Sequence, residues 1–207
     1  MRKNLLSHLK SFFVKVRGLA DIEVVESSGL KGVYTIKRAQ LETEEHFALD
    51  REIGLLQQAG RFADAWPLIE KLNRICRVEV FTYENIIPTV GRAALANWLT
   101  QGSPSPASIK LNYTSLGTGT NTPANSDTQL QTETYRKAIA STTNADNVAY
   151  CTAFYTAPET SGTFREAGVW MNATGAADSG TLFSRVAINI VKTTSTTLTI
   201  DYTVTLS

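Results

Sequence analysis

The sequence is poor in the residues that most often carry chemistry in proteins. It has only two cysteines, Cys76 and Cys151, which are too few for the disulfide framework of a small secreted protein. Both lie in apolar runs, so we expect reduced, packed thiols, and a bridge between them is the open alternative. The two histidines, His8 and His46, have no cysteine, aspartate or second histidine at metal-ligand spacing, which argues against a zinc site.

Long hydrophobic runs and net charge are also missing. No stretch reaches the roughly 18–20 apolar residues of a membrane span. Lys10 and Lys15 interrupt the apolar part of the N-terminus, so we expect no secretory signal peptide and a chain made in the cytoplasm. The formal net charge of +1 creates no global field that would recruit nucleic acid or an anionic membrane.

Composition divides the 207 residues into two unlike parts. Residues 1–100 contain 14 Lys/Arg, 12 Asp/Glu and 5 Thr. Residues 101–207 contain 6 Lys/Arg, 7 Asp/Glu and 22 Thr. This change indicates helices followed by strands, and the proline-rich segment 103–108 marks the boundary. We therefore predict an α+β protein with a mainly helical attachment region over 1–102 and an antiparallel, jelly-roll-like β-sandwich over 103–207.

Helical periodicity dominates the first part. One face of a predicted amphipathic N-terminal helix carries the candidate assembly contacts Leu5, Leu9, Phe12, Phe13 and Val16. Membrane-surface binding is the alternative for this helix. A helical hairpin follows, with Thr43 as N-cap, Gly60 as a stop and Pro67 in the opening turn of its second helix. Short strands are expected over 30–37 and 75–85, and a third helix ends at Gly102.

Period-2 alternation dominates the second part. Strands are predicted over 109–116, 147–157, 163–172, 181–191 and 197–206. The last of them has the clearest alternation, with its apolar face formed by Leu198, Ile200, Tyr202, Val204 and Leu206. The intervening segment 191–196 is expected to be a hairpin loop that joins the last two strands.

A glycine- and threonine-rich stretch, "SLGTGTNTPANSDTQLQTE", occupies residues 115–133. A phosphate-binding loop needs converging backbone amides, a helix after them and usually a lysine, but this stretch has no lysine or arginine and contains Pro123. We interpret it as a connector in which Gly117 and Gly119 supply unusual backbone angles. Beyond it, Arg136 and Lys137 are expected to form a small exposed basic spot.

Few side chains qualify as catalytic or ligand-binding candidates. Glu159 and Glu166 flank a turn and are the pair that a glycosidase would need, but we favour pairing of Glu166 with Arg165 or with a neighbouring strand. A second candidate is a calcium site formed by Asn121, Asn125 and Asp127. This loop has fewer acidic residues than known calcium-binding loops. We therefore expect no catalytic residues, no metal and no cofactor.

Two aromatic side chains are candidates for contact with a glycan. Tyr155 and Trp170 would stack on sugars if they formed an exposed platform, and burial in the core is the alternative.

Three segments of the second part resemble small structural proteins of tailed-bacteriophage particles. They are the loop pattern "LGTGT-x-T-P-A-x-x-D-T-x-L-x-x-E" at 116–133, "REAG" at 165–168 and "SGTLFSR" at 179–185, within a resemblance that covers about residues 85–207. The resemblance implies a virion component of the tail fibre, baseplate or collar, and transfers no catalytic residue. The expected partners are copies of the chain, as a trimer or hexamer, and other virion proteins.

The resemblance leaves other functions open. The chain is expected in the virion as a non-enzymatic structural protein. A module that recognises host-surface glycans, a capsid decoration protein and an enzyme that degrades a host polymer are the alternatives.

Overall fold

The structure, a computed structural model, describes residues 15–17, 21–23, 29–101 and 109–206. The helices in these ranges are α1 (Glu44–Gln58), α2 (Phe62–Ile75) and α3 (Thr89–Gln101). The strands are β1 (Lys15–Arg17), β2 (Asp21–Glu23), β3 (Leu30–Gln40), β4 (Arg77–Glu84), β5 (Leu111–Gly117), β6 (Glu133–Ala138), β7 (Ser141–Ala145), β8 (Val148–Tyr155), β9 (Gly162–Met171), β10 (Thr181–Lys192) and β11 (Thr196–Leu206). No helix within these ranges is long and apolar enough to cross a membrane.

The strands beyond β1 and β2 form two antiparallel sheets. One has five strands in the order β4-β3-β11-β8-β7, and the other has four in the order β10-β9-β5-β6. The α+β class and the antiparallel pairing are therefore confirmed. The pairs β5–β6, β7–β8 and β9–β10 each stay within one sheet, and the expected jelly-roll-like order is not confirmed. The predicted hairpin across 191–196 is wrong, because β10 and β11 belong to different sheets.

Strand β3 pairs with β11 along its whole length. The register runs from Leu30 opposite Leu206 to Gln40 opposite Thr196. The five-stranded sheet therefore contains strands from both sides of residue 102, and helices α1 and α2 form an insertion between β3 and β4. The predicted boundary segment, 103–108, lies outside the described residues. Both strands bury one face in the core, so their alternation is compatible with this pairing, although it does not select the partner.

The main core lies between the two sheets. The alternation predicted for β11 is confirmed, because Ile200, Tyr202 and Val204 are buried there, while Leu206 is 53% exposed at the strand end. The opposing sheet contributes Val169 and Phe183, among others. Tyr202 packs against the ring of Phe183 edge-on at 6.3 Å, so aromatic contacts join the layers.

Helices α1 and α2 cover part of the outer face of the five-stranded sheet. The predicted N-cap is confirmed, since the Thr43 hydroxyl accepts a hydrogen bond from the His46 amide at 3.3 Å. The prediction for Pro67 is wrong, because α2 begins at Phe62 and the proline lies inside it. The helices bury Thr199 on the outer side of β11, so this end of the strand is covered on both faces.

The structure describes only the C-terminal end of the predicted N-terminal helix. Leu5, Leu9, Phe12 and Phe13 lie outside the described residues. Val16 lies in β1, where it pairs with Ile22 of β2, so the prediction of a helix that includes Val16 is wrong. The backbone of residues 15–17 is extended and pairs with β2.

Candidate functional site

The glycine- and threonine-rich loop folds back over the outer face of the four-stranded sheet. Its base is closed by a hydrogen bond from the Thr118 amide to the Thr132 carbonyl at 3.0 Å. Leu130 is 1% exposed and packs with Trp170 and Leu182 in a small second core between the loop and the sheet. We call residues 118–132 the anchored loop, because the side chains of Glu166 and Arg185 fix it to the sheet.

The carboxylate of Glu166 is the anchor point of this loop. Its Oε1 accepts hydrogen bonds from the amides of Gly119 and Thr132 at 3.1 and 2.7 Å, and its Oε2 accepts one from the Gln131 amide at 3.0 Å. The loop amides therefore do bind an anion, but the anion is a carboxylate of the same chain. Charge-assisted bonds of this kind are stronger than neutral ones.

Arg185 completes the anchor from the adjacent strand. Its Nη2 lies 2.7 Å from Glu166 Oε2, and both side chains are 1% exposed. The guanidinium also donates to Asp127 Oδ2 at 2.6 Å and to the side-chain oxygen of Asn121. A buried charge is stable only when it is paired and its hydrogen bonds are satisfied, and the loop supplies these partners.

Two of the three residues of the calcium candidate therefore bind a guanidinium. Asn121 and Asp127 both contact Arg185, which carries the positive charge at this place. Within the described ranges, no group of three or more His, Cys, Asp or Glu side chains is arranged to hold a metal ion.

Gly117 and Gly119 serve the loop by their small size. The prediction of unusual backbone angles is wrong, since neither glycine has a positive φ. A Cβ on Gly119 would lie 2.4 Å from Glu166 Oε1 and 2.5 Å from the Gln131 Cβ, and a Cβ on Gly117 would lie 2.5 Å from the Thr132 carbonyl oxygen. The glycines allow the backbone to approach the buried carboxylate.

The three segments that carry the phage resemblance meet at this anchor. Asn121 and Asp127 belong to the loop pattern, Glu166 belongs to "REAG", and Arg185 ends "SGTLFSR". The preferred sequence interpretation of Glu166, pairing with a neighbouring strand, is confirmed, because β9 and β10 are adjacent. Arg165 instead donates to Asn189 at 2.8 Å.

The aromatic glycan candidates are both in the interior. Trp170 is 0% exposed, and its indole Nε1 donates to the Ser115 hydroxyl at 2.7 Å. Tyr155 is also 0% exposed, it contacts the Thr114 hydroxyl at 2.7 Å, and burial raises the pKa of its phenol. The prediction that these two rings form an exposed glycan platform is therefore wrong, and the alternative of core burial is confirmed.

The expected exposed basic spot is also wrong. The side chain of Arg136 is 2% exposed, pairs with Glu133 at 2.6 Å and lies 4.2 Å from the Trp170 ring centre. Lys137 pairs with Glu159, whose other oxygen accepts a hydrogen bond from the Thr156 amide at 2.7 Å. Both glutamates of the glycosidase alternative are thus engaged in contacts within the protein.

Sequence reasoning missed two buried charged side chains, Asp50 and Lys192, that both bond to the backbone of Ala157. The amide of Ala157 donates to both carboxylate oxygens of Asp50 at 3.2 and 3.1 Å, and its carbonyl accepts from Lys192 Nζ at 2.9 Å. Burial raises the pKa of Asp50 to about 6 and lowers that of Lys192 to about 8. Lys192 follows Ile188 and Ile190 in the alternation of buried residues along β10. This position is the sequence signal from which its burial could have been predicted.

The two cysteines are free and buried. Burial raises the pKa of each thiol to about 11, so the reactive thiolate is scarce at neutral pH. The expectation of reduced, packed thiols is confirmed.

Searches against protein-family models, curated proteins and solved structures found no match to this chain.

Proposed function

We propose that the chain is a non-enzymatic structural protein of a tailed-bacteriophage virion, in the tail fibre, baseplate, collar or neck. It associates with copies of itself and attaches to other virion proteins. A capsid decoration protein is the nearest alternative, since it differs in the position on the particle and not in the kind of role.

One observation carries the proposal. The three segments that resemble phage structural proteins form a single buried anchor, in which Glu166 and Arg185 fix a long surface loop to the sheet. Their charges and hydrogen bonds are used within the protein to hold the loop in one shape. Such a rigid surface suits a subunit that must present the same contact to each neighbour.

Strand β4 offers a surface for self-association. It pairs with β3 along one edge, and among the described residues no strand pairs with its other edge. Val80 projects from the outer face of β4 and is 60% exposed. An open strand edge with an exposed apolar side chain favours pairing with another chain. We propose this edge for contact between copies, and Leu5, Leu9, Phe12 and Phe13 for attachment to the particle.

Immunoelectron microscopy tests the proposal. Antibodies raised against the purified chain are applied to particles produced from the genome that encodes it. We expect labelling at one fixed place on the tail or neck. Labelling of the head surface would favour the decoration alternative, and unlabelled particles would contradict the proposed function.

A further inference from the structure

A groove lies on the outer face of the five-stranded sheet, beside helix α2. Its volume is about 310 Å³, and its lining residues are Lys37, Trp66, Ile69, Glu70, Asn73, Arg74 and Thr199. Ligand sites in proteins are typically about 300–1,000 Å³, so the groove has room for a small ligand. Neither the anchored loop nor the β4 edge contributes a residue to it.

The helix periodicity of α2 builds one wall of the groove. Trp66, Glu70 and Asn73 lie four and three residues apart, a spacing that places them along one side of a helix. Ile69 is buried beneath them. On the sheet side, the Thr199 hydroxyl accepts a hydrogen bond from Asn73 Nδ2 at 3.1 Å and joins the two walls.

The charges around the groove cancel. Lys37 Nζ lies 2.8 Å from Asp201 Oδ2, so the carboxylate of Asp201 neutralises the charge of Lys37. Glu70 and Arg74, both exposed at the rim, carry opposite charges. A site without net charge gives no preference to an anion or a cation, and it favours a neutral ligand that makes many hydrogen bonds.

The groove combines an aromatic ring with polar groups. Trp66 is half-buried and packs against the core beneath α1 and α2. The negative face of an indole attracts the weakly positive C–H groups on one side of a sugar ring. Asn73 Oδ1 is buried and has no hydrogen-bond partner. An unpaired buried acceptor is unfavourable. Rotation of the Asn73 side-chain amide would let Oδ1 accept a hydrogen bond from a ligand hydroxyl.

We propose that this groove binds a neutral saccharide, with Trp66 stacked on one sugar ring and Asn73, Glu70 and Arg74 bonded to hydroxyl groups. Such a site would add ligand recognition to the structural role proposed above. Binding can be measured on the isolated chain, so its outcome is independent of whether the chain occurs in a virion.

The test uses the indole N–H signals of the three tryptophans in NMR spectra of the ¹⁵N-labelled chain. The probes are maltotetraose, cellotetraose, mannotetraose and tetra-N-acetylchitotetraose, with tetragalacturonate as the charged comparison. We expect at least one neutral probe to move the Trp66 signal with a dissociation constant of about 1 mM or below. The signal of buried Trp170 is expected to stay in place.

Three variants locate the binding. Trp66→Ala and Glu70→Ala are each expected to weaken binding by about tenfold or more. Glu70 is exposed at the rim, so its variant keeps the fold if Trp66→Ala disturbs packing. Trp98→Phe changes a half-buried tryptophan on α3 and is expected to bind as the parent does. Failure of every neutral probe, tighter binding of the charged probe, or binding unchanged in Glu70→Ala would overturn the proposal.

Discussion

Glu166 and Arg185 lie on adjacent antiparallel strands and form an ion pair at 2.7 Å in which each side chain is 1% exposed. In the register, Arg185 is opposite Gly168 and Glu166 is opposite Ala187, so the two side chains are diagonal neighbours on one face of the sheet. The anchored loop closes over this pair and supplies its remaining hydrogen-bond partners. The pair is therefore both a part of the sheet and the attachment of the loop.

Replacing the anchoring carboxylate tests this relationship. Glu166→Gln removes the buried carboxylate that pairs with Arg185 and accepts the loop amides, and it leaves Asp127 as the one carboxylate bonded to the guanidinium among the described residues, so we expect the free energy of unfolding to fall by about 3–5 kcal/mol. Urea denaturation measures the change. The matched control is Glu79→Gln, which removes an ion pair with Arg38 whose carboxylate is 44% exposed and is expected to change the free energy by about 0–1 kcal/mol. Equal effects of the two substitutions would contradict the anchor.

The close approach of the loop is tested at Gly119. Gly119→Ala places a Cβ 2.4 Å from Glu166 Oε1 and forces the loop away, and we expect a loss of about 1–3 kcal/mol in the free energy of unfolding. A Cβ on Gly175 meets nothing within 4 Å, so Gly175→Ala is the matched control with an expected change within about 0.5 kcal/mol. Thermal unfolding monitored by circular dichroism compares the two. A Gly119→Ala variant as stable as its control would show that the loop stands off the sheet.

We expect Asp50 to make the stability of the protein depend on pH. Its folded-state pKa of about 6 is above the ordinary value of 3.8, so the folded protein holds this proton more tightly than the unfolded chain does. The stabilisation is present below pH 3.8 and is lost as the pH rises through about 6, a fall of about 3 kcal/mol in the free energy of unfolding. Burial is the main cause of the raised pKa; the hydrogen bond from the Ala157 amide and the charges of Lys192 and Lys137 lower the pKa, and the charge of Glu159 raises it.

Asp50→Asn isolates this contribution, because the amide keeps an acceptor for the Ala157 N–H but does not titrate. We expect the stability of the parent minus that of the variant to fall between pH 4 and pH 6, as measured by urea denaturation at several pH values. A difference that rises or stays constant over this range would show that Asp50 is not the titrating group.

The unpaired edge of β4 is where we expect copies of the chain to associate. Val80→Lys adds a charge at the exposed apolar position of this edge, so we expect the oligomer to dissociate in sedimentation velocity while the fold is kept. Leu55→Lys makes the same change at a 68% exposed leucine of α1, and its oligomeric state is expected to match the parent. A parent chain that sediments as a monomer at all concentrations would contradict the proposed edge contact.

The sequence predicts local features of this fold well and distant ones poorly. Alternation identified β11 because Ile200 and Tyr202 face one core, and the N-cap at Thr43 placed the start of α1. Alternation does not state which strand is the partner, so the pairing of β3 with β11 was not predicted. Likewise, composition identified the loop at 115–133 as a connector, but only the folded chain brings Glu166 beneath it.

Quantitative mass spectrometry of gradient-purified particles tests the proposed function most directly. Particles are produced from the genome that encodes the chain, and peptides are compared between the particle band and the cleared lysate. We predict that the chain co-purifies with the tail proteins in the copy number of a trimeric or hexameric assembly. Its recovery only in the cleared lysate, with none in the particle band, would contradict a virion role.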